Sequence, residues 1–297
     1  MLTYSDWQDI SKRIEQATHS AFNATDIQTV SGGCINTAYT IQGNNKRYFI
    51  KLNHARFIHM FEAESSGLAE ILQTNTIKVP QPILSGIINE YAFLVLEHID
   101  LTPTNQHSDI QLGQQLAALH KKPQPFFGWH LDNTIGLTTQ INKSKEHWPS
   151  FWQTNRLNVQ LTLAKNNGAN SKLIETGEEL SNALPLFFTS YSPAPSLLHG
   201  DLWSGNTSMT KQGLAIIYDP ACYYGDRETD IAMTELFGGF SPHFYAAYNE
   251  YYPLDSAYPT RKILYNLYHI LNHFNLFGTS YQQQAQNMID SLLSEIY

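Results

Sequence analysis

The chain has 297 residues, enough for one large domain or for two lobes with a substantial core. Its formal net charge of −8 argues against a general nucleic-acid binder, which needs a basic surface to displace counterions. Two cysteines, Cys34 and Cys222, provide neither a disulfide framework nor a Cys-x-x-Cys metal site. No apolar stretch is long enough to span a membrane and the N-terminus lacks signal-peptide features, so we expect a cytoplasmic protein.

The N-terminal region predicts a helix followed by a hairpin. Ser5–Gln8 fits a capping box that opens a helix through Ala17. Two strands are predicted over 28–42, around a loop of small residues at 31–37. Small residues let backbone N–H groups approach phosphate oxygens, although the loop taken alone is better interpreted as a plain hairpin turn.

A lysine and a glutamate further along are predicted to form an ion pair. Lys51 ends an apolar strand, whereas Glu64 lies on the inward stripe of a helix predicted over 59–72. Because an ionised carboxylate is costly to bury unpaired, Lys51 is the natural partner of Glu64. In kinases, a strand lysine held in this way contacts the α- and β-phosphates of the nucleotide.

The middle and the end of the chain are predicted to be mainly helical. Two apolar strands over 83–88 and 91–99 precede this region, and a second capping box is predicted at Ser108–Gln111. Helices are predicted over 108–120, 151–163, 173–184 and 229–237, with further helices from 242 onward. His269 and His273 share a helix face but lack the glutamate of a zinc-binding motif, so packing is the preferred interpretation.

The segment with the clearest chemical signature runs from His199 to Asn206. Asp201 and Asn206 are five residues apart, as the base and the metal-binding Asn are in the H-R-D-L-x-x-x-N loop of protein kinases. Asp219 follows a short apolar run that predicts a buried strand. Phosphoryl transfer needs a carboxylate to accept the proton of the attacking hydroxyl, and oxygen ligands to hold Mg²⁺. The spacing therefore predicts a phosphoryl-transfer centre with Asp201 as the base.

The segments HGDLWSGN and DPACYYGDRETDIAM resemble the fructosamine kinase (ketosamine-3-kinase) family, a relative of aminoglycoside phosphotransferases and choline kinases. GGCINTAY and FEAESSGL match the family as well, so the resemblance runs from about Val30 to the C-terminal helices. It implies an α+β, bilobal protein-kinase-like fold. Residues 1–98 would form a small nucleotide-binding lobe with an antiparallel sheet, and 99–297 a larger, mainly helical catalytic and acceptor-binding lobe.

The resemblance also implies roles for individual residues. ATP would be held at its phosphates and its adenine by Gly32, Gly33, Cys34, Ile35 and Asn36, by Lys51 with Glu64, and by the hinge residues Glu97, His98 and Ile99. Mg²⁺ would bind Asn206 and Asp219, while His199 and Asp230 would support the catalytic loop. The acceptor pocket is assigned to Trp203, which follows the base by two residues, together with Asn133 and Gln140 from a polar loop.

The implied reaction is phosphorylation of the C3 hydroxyl of a free or protein-bound ketosamine, derived from ribulose, erythrulose or fructose. Its implied role is deglycation, by a monomer or homodimer with no nucleic-acid or membrane partner. The resemblance implies that Cys34 forms a redox-switched dimer. The other interpretation, which we prefer, is that this position only needs a small residue. Three alternatives stay open: another hydroxyl acceptor such as an aminoglycoside, choline or homoserine, a non-catalytic nucleotide-binding module, and a scaffold.

Overall fold

The computed structural model describes residues 2–31 and 35–296. The first part of the chain, which we call the small lobe (2–97), is a sheet with two helices. Its elements are α1 (Tyr4–Thr18), β1 (Asp26–Val30), β2 (Thr37–Gly43), β3 (Lys46–His54), α2 (Ile58–Thr74), β4 (Pro82–Ile88) and β5 (Tyr91–Glu97).

The five strands form one antiparallel sheet in the order β1-β2-β3-β5-β4. Successive side chains of a strand point to opposite faces, so β3 serves two environments. Ile50 and Leu52 join a buried cluster with Trp7 of α1, whereas Phe49 and Lys51 point to the other face. Burial of the first face orients the second face, which bears Lys51.

The rest of the chain, from Leu101 onward, is the large lobe, and residues 98–100 form the hinge between the two. The large lobe contains β6 (Leu101–Thr102), α3 (Gln106–His120), β7 (Asn133–Ile135), β8 (Thr138–Gln140), α4 (Trp148–Trp152), α5 (Asn158–Asn166), α6 (Ser171–Ala183), β9 (Ser196–Leu198), β10 (Thr207–Thr210), β11 (Ala215–Ile217), β12 (Tyr223–Gly225), α7 (Glu228–Leu236), α8 (Pro242–Tyr251), α9 (Tyr258–Phe277) and α10 (Gln282–Ser294).

The large lobe is built on helices, and its small sheets carry the site. The strands pair antiparallel as β11-β10-β6, β12-β9 and β7-β8. The single helix predicted over 151–163 is instead α4 and α5, joined by a π-helical turn over 153–157. The α+β class with an antiparallel sheet and a helical part is confirmed, whereas the division of the chain at residue 98 remains a prediction.

Both predicted capping boxes were wrong in register. The first helix is capped by Thr3, whose side chain accepts from the N–H of Asp6 while the Asp6 carboxylate accepts from Thr3. In α3 the same reciprocal pair is Asn105 and Ser108. Several polar residues in each segment suit a cap, and the one that precedes the helix in an extended conformation takes the role.

Among residues 2–31 and 35–296, no helix combines the length and the apolar character that crossing a bilayer requires.

A buried ion pair joins α7 to α9. The Arg261 guanidinium donates to both carboxylate oxygens of Glu228, at 2.8 and 3.0 Å, and also to Asp255 at 2.7 Å. The side chains of Arg261 and Glu228 are at most 1% exposed. Removing one member of such a pair leaves an uncompensated buried charge.

We therefore expect Glu228→Ala to lower the free energy of unfolding by about 3–5 kcal/mol. Asp290→Ala is the matched control, because its carboxylate pairs with Lys172 at the exposed surface and the loss should stay below about 1 kcal/mol. Thermal unfolding of the two variants beside the parent measures the difference. Equal shifts in Tm would contradict the structural role assigned to the buried pair.

Candidate active site

A cleft of about 790 Å³ separates the two lobes and collects most of the predicted site residues. The sheet of the small lobe contributes Ala38, Thr40, Phe49 and Lys51, and residues 96–101, which run from the end of β5 through the hinge to the start of β6, line one edge. The opposite wall belongs to the large lobe. It is lined by the three polar side chains of the predicted phosphoryl-transfer centre, Asp201, Asn206 and Asp219.

The loop that carries Asp201 is fixed from behind by a buried carboxylate. Asp230, at the start of α7, accepts from the backbone N–H groups of His199 at 2.7 Å and Gly200 at 2.8 Å. It also lies 3.1 Å from His120 Nε2 on α3. Although burial would raise the pKa of Asp230, the hydrogen bond and charge of His120 with the other contacts lower it. Asp230 is thus an ionised support beneath the loop.

His199 is completely buried and links this loop to the strand that precedes Asp219. Its Nδ1 accepts from the N–H of Asp201 at 3.3 Å, which leaves Nε2 to donate to the carbonyl of Tyr218 at 2.9 Å. Burial lowers the pKa of His199, so a neutral imidazole with the proton on Nε2 satisfies both contacts. His199 therefore sets the distance between the Asp201 loop and the Asp219 turn.

Gly200 allows these two segments to touch. Its φ is +81°, and a Cβ at this position would lie 2.1 Å from the carbonyl oxygen of Ala221. On the same side, the N–H of Ala221 donates to the carbonyl of His199 at 2.8 Å. A side chain at residue 200 is therefore excluded both by backbone conformation and by space.

Asp201 and Asn206 face each other across a single turn, the 3₁₀ segment Ser204–Asn206. The Asn206 side-chain nitrogen donates to the Asp201 backbone carbonyl at 2.9 Å and to its carboxylate at 3.2 Å. The pKa of Asp201 is raised to about 7, mainly by burial and next by the negative charge of Asp219. A carboxylate raised in this way is a stronger base than an exposed one.

Lys51 binds one carboxylate from each lobe. Its Nζ lies 2.7 Å from Glu64 on α2, which is the predicted ion pair, and 2.6 Å from Asp219. Burial alone would lower the pKa of Lys51, but the charges of Asp219 and Glu64 outweigh it and raise the pKa. Asp219 adopts a left-handed φ of +59°, uncommon for a residue with a side chain, and is half-exposed in the cleft.

The oxygen atoms of this wall fit a small divalent cation such as Mg²⁺, which prefers carboxylate and amide oxygen ligands. Because the nitrogen end of the Asn206 amide is bonded to Asp201, its oxygen is turned away from that contact. Asp219 uses one oxygen for Lys51 and is half-exposed, so its other oxygen can serve as a ligand. The predicted ligand pair thus has the right donor atoms on adjoining segments.

Gly32, Gly33 and Cys34 of the predicted phosphate loop lie outside the described residues. Ile35 and Asn36 line the cleft. The side-chain amide of Asn53 donates to the Ile35 carbonyl at 3.3 Å and to the Asn36 side chain at 2.7 Å. Asn53 lies two residues beyond Lys51 on β3, so one strand holds both the lysine and the loop.

Sequence reasoning missed Phe49, which lies on the same face of β3 as Lys51. In the sheet it pairs with Thr40 on one side and Leu96 on the other, and all three line the cleft. Two residues along a strand span about 6.5–7 Å. The row of three side chains is therefore held at a fixed spacing from Lys51. The period-2 alternation that orients Lys51 could have identified Phe49 as well.

The predicted hinge residues Glu97, His98 and Ile99 line the edge of the cleft next to this row of side chains. The N–H of Glu97 already donates to the carbonyl of Gln81 at 2.8 Å. His98 is mostly buried, and burial lowers the pKa of its imidazole. The hinge is thus a polar edge beside an apolar pocket.

The three residues predicted for the acceptor differ in their positions. Trp203 is 38% exposed at the cleft, and its ring lies over Gly205, where a Cβ would meet ring atoms at 2.3 Å. Asn133 lines the cleft but is buried, and it donates to the Cys222 carbonyl at 2.7 Å. Gln140, 1% exposed, donates to the side-chain oxygen of Asn133 at 2.8 Å and, at 3.3 Å, to the backbone carbonyl of the residue before Cys222.

These contacts give Asn133 and Gln140 a positioning role in the described structure. Both come from the β7–β8 hairpin, and both bind backbone carbonyls just after Asp219. The hydroxyl of Tyr268 on α9 donates to Gln140 and completes the buried network. The direct contact predicted between these side chains and the acceptor remains a prediction.

We expect Gly200→Ala to reduce turnover by at least about a hundredfold, because the base-bearing loop must shift by a distance on the order of 1 Å. Gly213→Ala is a matched control: Gly213 has a similar φ of +83° but no atom within 4 Å of an added Cβ. It should bear only the conformational cost, about 1–2 kcal/mol, with kcat unchanged. Steady-state kinetics and Tm are measured for both variants. Equal kcat values would show that the close contact between residues 200 and 221 does not cause the loss of turnover.

Comparison with known proteins agrees with this geometry. The fructosamine kinase family model matches residues 6–295. A Synechocystis protein named a probable ketoamine kinase is 45% identical over 97% of both chains, and the chloroplastic protein-ribulosamine 3-kinase of Arabidopsis thaliana is 40% identical over 92% of this chain and 84% of its own. The structure of a Haemophilus somnus protein assigned as a fructosamine-3-kinase is 31% identical and superposes with a TM-score of 0.87 over 96% of both chains.

More distant structures share the fold alone. ADP-bound aminoglycoside phosphotransferase APH(2'')-Ib is 14% identical, with a TM-score of 0.62 over 98% of this chain and 97% of its own. The match along nearly the whole chain, together with the arrangement of Lys51, Asp201, Asn206 and Asp219, identifies a phosphotransferase. The chain belongs to the fructosamine kinase family.

Proposed function

We propose that the protein is an ATP- and Mg²⁺-dependent kinase that phosphorylates the C3 hydroxyl of a ketosamine. The observation that carries the proposal is the partly buried Asp201 carboxylate, which accepts from Asn206 and faces a cleft that Lys51 enters from the other lobe. Relatives named ketoamine kinase and protein-ribulosamine 3-kinase support the acceptor class.

The small lobe supplies the nucleotide site. Phe49 would stack on the adenine beside the hinge, and Lys51, two residues further along β3, would bind the phosphates. Glu64 keeps the ammonium group directed into the cleft. Lys51 would exchange Asp219 for the phosphates of the nucleotide, which would leave the Asp219 carboxylate free to hold the cation.

Asn206 and Asp219 would hold Mg²⁺, and the cation would neutralise charge on the phosphates. The protein presents the Asn206 amide oxygen and the Asp219 carboxylate from two segments, which the contacts of His199 and Gly200 hold together. Their separation is set by these backbone contacts, which the folded protein makes without any ligand.

Asp201 orients the acceptor hydroxyl and accepts its proton. The hydroxyl oxygen forms a bond to the γ-phosphorus, the bond from that phosphorus to the β-phosphate oxygen breaks, and ADP leaves. The raised pKa of Asp201 suits this proton transfer near neutral pH. The resulting 3-phosphate of a ketosamine is prone to elimination, which frees the amine and gives the reaction its implied role in deglycation.

Trp203 forms the acceptor side of the pocket. Its ring is exposed in the cleft and rests on Gly205, so it presents a flat face on the loop that bears Asp201. Such a face can stack on a sugar or contact the cationic amine, a cation–π interaction worth about 0.5–2 kcal/mol.

We expect ADP release from ATP and Mg²⁺ in the presence of ribulose-, erythrulose- or fructose-lysine, and its loss in Asp201→Asn, which retains the shape but cannot accept the proton. Choline, kanamycin and homoserine serve as competing acceptors in the same assay. Turnover only on one of these would retain the kinase and discard the ketosamine. Tight ATP binding without turnover on any acceptor would indicate a non-catalytic module.

The two aromatic side chains should separate the two substrates. Phe49→Ala should raise the KM for ATP by roughly 5- to 100-fold, the worth of one base–aromatic stack, and leave the ketosamine KM nearly unchanged. Trp203→Ala should do the reverse, raising the ketosamine KM by roughly 2- to 30-fold. Bisubstrate kinetics measure both constants for each variant. Equal changes in both constants for either variant would remove that assignment.

A further inference from the structure

A second glutamate of α2, Glu70, has both carboxylate oxygens bound to the large lobe. The indole N–H of Trp129 donates to Oε2 at 2.7 Å, and the hydroxyl of Tyr224 donates to Oε1 at 2.5 Å. Trp129 is 4% exposed, and burial together with the Glu70 hydrogen bond raises the pKa of Tyr224. The sequence analysis gave none of these three residues a role.

The donors of Glu70 are attached to the same backbone unit that carries the base. Tyr224 lies on β12, which pairs with β9, and β9 leads directly into His199 and Asp201. Gly128, the neighbour of Trp129, exchanges two backbone hydrogen bonds with Tyr224, at 2.8 and 2.9 Å. Glu70 thus connects α2 to the strand pair from which the catalytic loop extends.

The same face of α2 makes a close contact one turn nearer to Glu64. At Gly67 an added Cβ would lie 2.8 Å from the Cys222 sulfur and 3.7 Å from Pro220, both just after Asp219. Glu64 and Glu70 are six residues apart, about 9 Å along the helix axis. Packing at Gly67 and the two hydrogen bonds at Glu70 therefore restrain the helix on the large-lobe side.

In protein kinases, the ion pair between the strand lysine and the helix glutamate must be assembled, and movement of that helix is a point of control. We propose that Glu70 is a positioning residue that fixes α2 on the large lobe and so keeps Glu64 at Lys51 in the resting protein. The ion pair is then permanently assembled, and nucleotide binding requires no activating event at α2. The inference rests on the proposed role of Lys51 and Glu64 in binding ATP.

The test compares Glu70→Ala in two backgrounds. In the parent protein we expect the KM for ATP to rise about tenfold, because two hydrogen bonds to a charged group are lost. In a Glu64→Ala background, the same substitution should change the KM for ATP less than about twofold, since nothing remains for Glu70 to position. Glu62→Ala is the matched control, an exposed glutamate on the same helix, and should leave kinetics unchanged.

Each result has a distinct meaning. An equal KM increase in both backgrounds, or a lower Tm with unchanged KM, would show a merely structural role and overturn the inference. If Glu64→Ala alone leaves the KM for ATP unchanged, both the inference and the nucleotide site of the proposed function fail. A large effect of Glu64→Ala beside a silent Glu70→Ala refutes only the inference.

Two milder variants keep the test valid if Glu70→Ala does not fold. Tyr224→Phe removes one hydroxyl and keeps the ring, and Glu70→Gln keeps the length of the side chain with one acceptor oxygen. Both should raise the KM for ATP, by less than Glu70→Ala, and both increases should vanish in the Glu64→Ala background. Persistence of either increase there would contradict the inference.

Discussion

The buried ammonium group of Lys51 is the constraint on which the rest of the site depends. An isolated charge could not be buried there, because the cost of desolvation is several kcal/mol without compensating partners. Its two partners come from different parts of the fold: Glu64 from the helix of the small lobe and Asp219 from the turn of the large lobe. Any arrangement that keeps Lys51 buried must therefore also keep α2 and the Asp219 turn next to the sheet.

This requirement explains why many buried polar side chains outside the predicted chemistry hold the surrounding backbone in place. Asp230 and His199 fix the catalytic loop, Asn133 and Gln140 fix the backbone after Asp219, and Glu70 fixes α2. Each donor or acceptor is satisfied by a partner within the protein, so the network is rigid without any ligand. The site is preorganised, which lowers the cost of aligning hydroxyl, base and phosphate during the reaction.

The chemistry could be predicted from the sequence because its signals are local. Asp201 and Asn206 are neighbours on one turn, and the stripe that places Glu64 inward is contained in one helix. The predicted ion pair with Lys51 is present in the structure, and the predicted family and fold class are confirmed. The capping residues were misplaced for a related reason: adjacent polar residues offered equivalent local patterns, and only the backbone conformation distinguishes them.

The interactions that escaped prediction are those between residues far apart in the chain. Lys51 and Asp219 are 168 positions apart, and Glu70 is 59 and 154 positions from its two donors. No periodicity or spacing reports such pairs, since a half-buried helical glutamate resembles a solvated one in sequence. Sequence patterns thus predict which groups react, whereas the contacts that hold those groups at fixed distances follow only from the folded topology. In this protein those long-range contacts determine whether the predicted reacting groups meet.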